Sequence, residues 1–263
     1  MPKMNVNGAN LYYEEQGAGQ EAIVFGHSLL FSGRMFDDQV VELKDHYRCV
    51  TFDFRGQGKS QVTQSGYDMD TLTEDARQVI ERLGCVPCHF LGHSMGGFVG
   101  IRLAVRHPKL IKSLILVNTA ADPEVKANLP RYNLLNFIAR WIGPWAVASN
   151  VMPIFFGPNF LSDPARKQAR KKWRQEIVAN HPIGVTRAVK GVIAREDVND
   201  LLNKIRVPTL IIAGEHDVPL PPEKSKRMHA CIPNSRLVII PNAGHMAPVE
   251  EPEAVNAAVK EFL

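Results

Sequence analysis

The sequence predicts an α/β fold: a mostly parallel sheet flanked by helices, with a helical segment inserted in its second half. Three observations predict it. Short runs rich in Val, Ile, Leu and Phe alternate with helical patterns, as strands buried on both faces beneath crossover helices do. The alternation fails only between about residues 122 and 197, where the pattern is helical and aromatic-rich. The third is composition: 263 residues, 45% hydrophobic and 22% charged, suit one large globular domain with an insertion and exclude disordered and fibrous classes.

In chain order, Val6 to Glu14, broken at Asn7-Gly8, reads as an N-terminal hairpin. Ala22–Gly26, Tyr47–Phe52, Cys88–Leu91, Lys112–Val117, Thr209–Ala213 and Arg236–Ile240 read as buried strands. Thr71 with Glu74 suggests a capping box for a helix that stops near Gly84. A second helix begins at Gly96 and runs to Arg106-His107, where Pro108 ends it. The last starts around Glu250-Glu251-Pro252-Glu253, acids and a proline being suited to a helix N-terminus. Within the insertion Leu134, Leu135, Ile138, Trp141, Ile142 and Trp145 recur at helical spacing, and Pro144, Pro153, Pro158, Pro164 and Pro182 cut the segment into short pieces. The expected organisation is a core of residues 1–121 and 197–263 with a helical cap over 122–196.

The net charge of +4 is mild and gives no reason for a nucleic-acid footprint. No stretch approaches the roughly 18 apolar residues of a spanning helix, and the first residues lack a signal-peptide core. The expectation is a soluble cytoplasmic protein without a membrane span. Cys85-Val86-Pro87-Cys88 has CxxC spacing, but it leads into an apolar run instead of opening a helix, so the four cysteines read as ordinary reduced thiols.

Chemistry is carried by Gly92-His93-Ser94-Met95-Gly96, a full G-x-S-x-G between an apolar run and an amphipathic helix. A tight strand-to-helix turn forces the serine into a strained backbone, and side chains two residues either side would collide, so glycine is needed there. Serine is a poor nucleophile at its free pKa and needs a base with an orienting acid. Among nine histidines, His245 lies in a loop between the last strand and the last helix, from which it can reach a neighbouring strand end. Asp217 follows Leu210–Ala213 at another strand's C-terminal end, with Glu215 and Asp122 as rivals. The order Ser94, Asp217, His245 is the one expected of hydrolases built on such an elbow.

These motifs resemble the α/β-hydrolase superfamily over almost the whole chain. Asp53-Phe54-Arg55-Gly56-Gln57-Gly58-Lys59-Ser60 is similar to that family's D-x-R-G-x-G-x-S turn, and Asn242-Ala243-Gly244-His245 to its histidine segment. The resemblance implies an α/β-hydrolase fold and acyl transfer through Ser94, with no metal or organic cofactor. The family usually carries His-Gly-X after its third strand; here Gly26-His27-Ser28-Leu29-Leu30 puts serine where glycine is usual, a variant similar to the enol-lactonase branch. Alignment on His27 implies that the backbone N–H groups of Leu29 and Met95 form the oxyanion hole. Serine at the elbow separates the chain from the family's haloalkane dehalogenases and epoxide hydrolases, which use aspartate.

The expected substrate is a small carboxylic ester or lactone. Carbon–carbon bond hydrolysis, cofactor-free perhydrolase or haloperoxidase chemistry and a ligand-sensing role without turnover share the same elbow. His27, Leu30, Trp141, Trp145, Phe155, Phe156 and Phe160 are candidate pocket residues. Arg131 and Arg140 are candidates to meet a substrate carboxylate, and the basic run from Arg166 to Arg174 reads as a solvated helix face.

Overall fold

The computed structural model describes residues 2–263. Eight strands form one sheet: β1 Lys3–Val6, β2 Ala9–Gln16, β3 Ala22–Gly26, β4 Arg48–Phe52, β5 Cys88–His93, β6 Ile111–Val117, β7 Thr209–Gly214 and β8 Ser235–Ile240, in the order β1-β2-β4-β3-β5-β6-β7-β8. The β1/β2 and β2/β4 pairs are antiparallel, and every pair from β4 to β8 is parallel. The strands alternate between two cores. Ile23, Phe25, Leu91, Ile115 and Ile212 face one cluster, while Val24, Phe90, Leu114 and Ile211 face the other. Both faces are covered, which explains why these strands read as continuous apolar runs.

Before the insertion stand helices α1 Asp37–Leu43, α2 Met69–Arg82 and α3 Met95–Arg106. Between β6 and β7 come α4 Leu129–Trp141, α5 Ala148–Phe155, α6 Pro158–Ser162, α7 Lys167–Val178, α8 Pro182–Ile193 and the short α9 Asn199–Leu202. The chain ends with α10 Pro222–Cys231, α11 Ala247–Glu250 and α12 Pro252–Phe262. No helix among the described residues is long and apolar enough to cross a membrane.

Three details differ from the sequence reading. Helix α2 is capped by Asp68, whose carboxylate accepts from Thr71 N at 2.8 Å, while Glu74 pairs with Arg77. The apolar face starts at Met69, so the stronger capping residue just upstream takes the turn. The expected final helix is α12, but the short α11 precedes it and ends at Glu250, which is a buried side chain instead of an exposed N-terminal charge. In α4 the apolar stripe points outward: Leu134, Trp141 and, just beyond the helix, Ile142 and Trp145 are 58–72% exposed. The inner face is carried by Tyr132, Leu135, Asn136 and Ala139, offset around the helix, and α4 packs against α8. Periodicity alone cannot choose between two faces when both carry apolar residues.

Cys85 and Cys88 are buried thiols, and burial pushes the pKa of both upward. That setting is the opposite of the electropositive one a reactive pair needs.

The strand order reverses about β3: β4 lies on one side of it and β5 on the other. Ligands of open α/β sheets bind outside the carboxyl ends of strands at such a switch point. The loops after β3 and β5 meet there.

Candidate active site

Ser94 follows β5 directly and stands before the first residue of α3. Its backbone has φ 51 and ψ −111, a strained conformation for a residue with a Cβ. Several bonds hold it there. Ser94 N donates to Val117 O at 2.9 Å, and Ser94 O accepts from Gly97 N and from the Thr119 hydroxyl at 2.8 Å. A Cβ at Gly92 would lie 2.3 Å from Gly96 O, and one at Gly96 would lie 1.9 Å from Gly26 O. The elbow therefore tolerates no side chain at either position.

His245 and Asp217 meet as the sequence order suggests. The imidazole Nδ1 lies 3.0 Å from Asp217 Oδ1 and 2.9 Å from Oδ2, with both side chains buried. Asp217 is itself held: Leu220 N donates to Oδ1 at 2.9 Å and Asn118 Nδ2 to Oδ2 at 2.7 Å. Asn118 also donates to Gly244 O, tying the acid to the histidine loop. A carboxylate that accepts from Nδ1–H leaves Nε2 as the basic nitrogen, and among the described residues Nε2 makes no hydrogen bond. Ser94 and His245 open into the same cavity. The two rival acids are engaged elsewhere. Glu215 accepts from Asn242 N, and Asp122 pairs with Lys224 and Arg227. His93 is packed beneath the site, donating through Nε2 to His245 O at 2.6 Å, and burial drives its pKa well down.

The loop after β3 carries Leu29 and Leu30 to the cavity wall. Neither the Leu29 N–H nor the Met95 N–H finds an acceptor among the described residues. Serine is accommodated at position 28 because the left-handed residue of this loop is Leu30, at φ 72. The loop is braced on three sides. Leu30 N donates to Gln57 Oε1 at 2.8 Å, Asn180 Nδ2 donates to Leu30 O at 2.7 Å, and His27 Nε2 accepts from Phe54 N at 2.8 Å. The Asp53–Ser60 turn thus has a mechanical task. Asp53 accepts from Gly33 N and Lys59 N, Arg55 forms a buried pair with Asp75, and Gln57 meets the loop.

The cavity opens to solvent and is mostly apolar, with Leu29, Leu30, Phe98, Val151, Phe155 and Leu220 on its walls. Five of the expected pocket residues, His27, Trp141, Trp145, Phe156 and Phe160, lie elsewhere. Trp141 and Trp145 are exposed because α4 turns its other face inward, and Phe156 stacks on Phe160 in the core at 4.7 Å. His27 is fully buried as a brace of the loop. Leu30 and Phe155 do line the cavity.

Sequence reasoning missed Asn118, Gln57 and Glu250. Asn118 stands where the apolar run of β6 ends, and its position at a strand's C-terminal end was the available signal. Glu250 accepts from Met246 N at 3.0 Å and Gly157 N at 2.8 Å, fastening the histidine loop to the insertion. Burial raises its pKa to about 7, outweighing backbone N–H groups that favour the ionised form.

The sequence model of the alpha/beta hydrolase fold family matches residues 21–252. This chain belongs to the α/β-hydrolase family. Its relatives are hydrolases of several kinds. A putative carbamate hydrolase, RutD, of Caulobacter sp. (strain K31) is 30% identical over 264 residues, covering 96% of this chain and 95% of the relative. A thermophilic esterase from Thermogutta terrifontis, solved with malate bound, shares 30% identity with a TM-score of 0.92, covering 100% of this chain and 98% of that one. The enol-lactonase from Burkholderia xenovorans LB400 shares 29% identity with a TM-score of 0.92, each chain covered to 99%. This α/β-hydrolase therefore has esterase and lactonase neighbours at equal structural distance, and substrate choice rests on its own cavity.

Proposed function

We propose that the chain is a serine hydrolase that cleaves small carboxylic esters through an acyl-enzyme. Ser94 is the nucleophile, His245 the general base and acid, and Asp217 the group that fixes the imidazole tautomer and stabilises the imidazolium. His245 Nε2 takes the Ser94 proton as the hydroxyl oxygen attacks the ester carbonyl. The Leu29 and Met95 N–H groups hold the tetrahedral oxyanion at the positive end of α3. His245 then protonates the leaving alcohol, and water repeats the sequence to release the acid and regenerate Ser94. The helices over residues 122–196 act as a cap that forms most of the acyl pocket above a core of residues 1–121 and 197–263.

The observation that carries this reading is the His245 Nδ1 to Asp217 contact of 2.9–3.0 Å, with the imidazole and Ser94 facing one apolar cavity. Esters are favoured over enol-lactones that bear free carboxylates because most of the lining is hydrocarbon. The test is turnover of p-nitrophenyl acetate by the wild type and by Ser94→Ala, with the nucleophile of the free enzyme phosphorylated by an organophosphate and the labelled residue located by mass spectrometry. Turnover that survives Ser94→Ala, or label on another residue, refutes the assignment.

A further inference from the structure

The cavity lining also carries a polar cluster that the triad does not use. Glu124 and Arg195, from either end of the inserted helices, are the two charged residues there besides His245. Their side chains are 10% and 3% exposed and pair at 2.9 Å. The guanidinium is fixed from several directions. Nε donates to Asp122 O at 3.0 Å, Nη1 donates to Val192 O at 3.0 Å and to Glu124, and Cζ lies 4.6 Å from the Phe98 ring centroid. Nη2 makes no hydrogen bond among the described residues. Glu124 is equally fixed, accepting from Asn128 Nδ2 at 3.0 Å through its other oxygen.

Two more groups share this wall. Asn136 is buried with Oδ1 unpartnered, while its Nδ2 donates to Thr186 O. Tyr132 supplies a phenol whose pKa is raised by burial and then by Glu124, so it remains a neutral hydroxyl. Asn136 Oδ1 has almost no accessible surface, so what the wall offers is spare donors, with the only cation already neutralised.

We infer that this wall is a subsite for an uncharged, oxygen-bearing acyl terminus (ester, ether, keto or hydroxyl), and that Glu124 excludes carboxylates from it. This rests on the ester-hydrolase reading above and extends it to the acyl chain. A substrate carboxylate at the wall would place two negative groups against one guanidinium in a poorly solvated cavity. A neutral oxygen accepts from Arg195 Nη2 without displacing Glu124. The arginines considered from sequence offer no substitute: Arg131 is exposed, and Arg140 lies 5.9 Å from the Trp141 ring, away from the cavity.

The test uses three p-nitrophenyl esters of equal acyl length ending in methyl, methyl ester or carboxylate, with kcat/KM measured for wild type and Glu124→Gln. The wild type is expected to prefer the methyl-ester terminus to the carboxylate on the order of a hundredfold. In Glu124→Gln the carboxylate-to-methyl-ester ratio should rise about tenfold or more, because Arg195 is freed to pair with substrate. Wild-type rates on these two within about threefold of each other overturn the proposal, as does a ratio unmoved in a folded Glu124→Gln. If that variant does not fold, the wild-type ratio decides alone. If no ester is turned over at all, the ester-hydrolase reading fails separately. The subsite is then judged by thermal shift of Ser94→Ala with matched methyl ketones: stabilisation by the ester-ended ketone and not the carboxylate-ended one upholds it, and the reverse overturns it.

Discussion

Replacing Glu250 with glutamine probes how the histidine loop is held. The carboxyl group is buried, accepts from the N–H groups of Met246 and Gly157, and has its pKa raised from 4.5 to about 7 by burial. The folded protein therefore binds this proton more tightly than the unfolded chain. The stability gained is complete below about pH 4.5, declines as pH rises towards 7, and is lost above it. The difference between 4.5 and about 7 corresponds to roughly 3 kcal/mol. Glutamine does not titrate, so the wild type should lose roughly 3 kcal/mol relative to Glu250→Gln between pH 4.5 and 7.5. Urea unfolding followed by tryptophan fluorescence at four pH values measures that difference. Two stability profiles that stay parallel within about 0.5 kcal/mol would refute the reasoning, because the carboxyl would then titrate alike in both states.

Four further outcomes are expected. Gln57→Leu removes the acceptor of Leu30 N–H and loosens Leu29, so steady-state kinetics should show kcat reduced roughly 10- to 100-fold with the melting temperature little changed. Gly96→Ala puts a Cβ 1.9 Å from Gly26 O, and thermal unfolding should show a loss of about 1–3 kcal/mol or more together with loss of turnover. Trp141→Ser combined with Trp145→Ser alters only exposed side chains and should leave kcat/KM within about twofold. Phe155→Ala, on the cavity wall, should change it by about tenfold.

The site was legible in sequence to different depths. Ser94, Asp217 and His245 could be found because a strained elbow admits few residue types and because strand ends are marked by apolar runs that stop. The braces were hidden. Gln57 lies in a turn whose glycines and Arg55 are its visible features, yet its amide accepts from Leu30, 27 residues earlier. Glu250 looked like a helix-terminal acid, a common and weak role, until the helices between β6 and β7 brought Gly157 against it from 93 residues away.

The sequence by itself determined the alternating parallel sheet, the elbow and the order of Ser94, Asp217 and His245 at strand ends. These depend on local rules: period, turn sterics and the chemistry of a single side chain. Tertiary structure alone decided which face of α4 points inward, which of two apolar stripes lines the cavity, and that Arg195 arrives already paired with Glu124. Those outcomes depend on how separate helices meet, and spacing along one helix carries no information about what lies opposite.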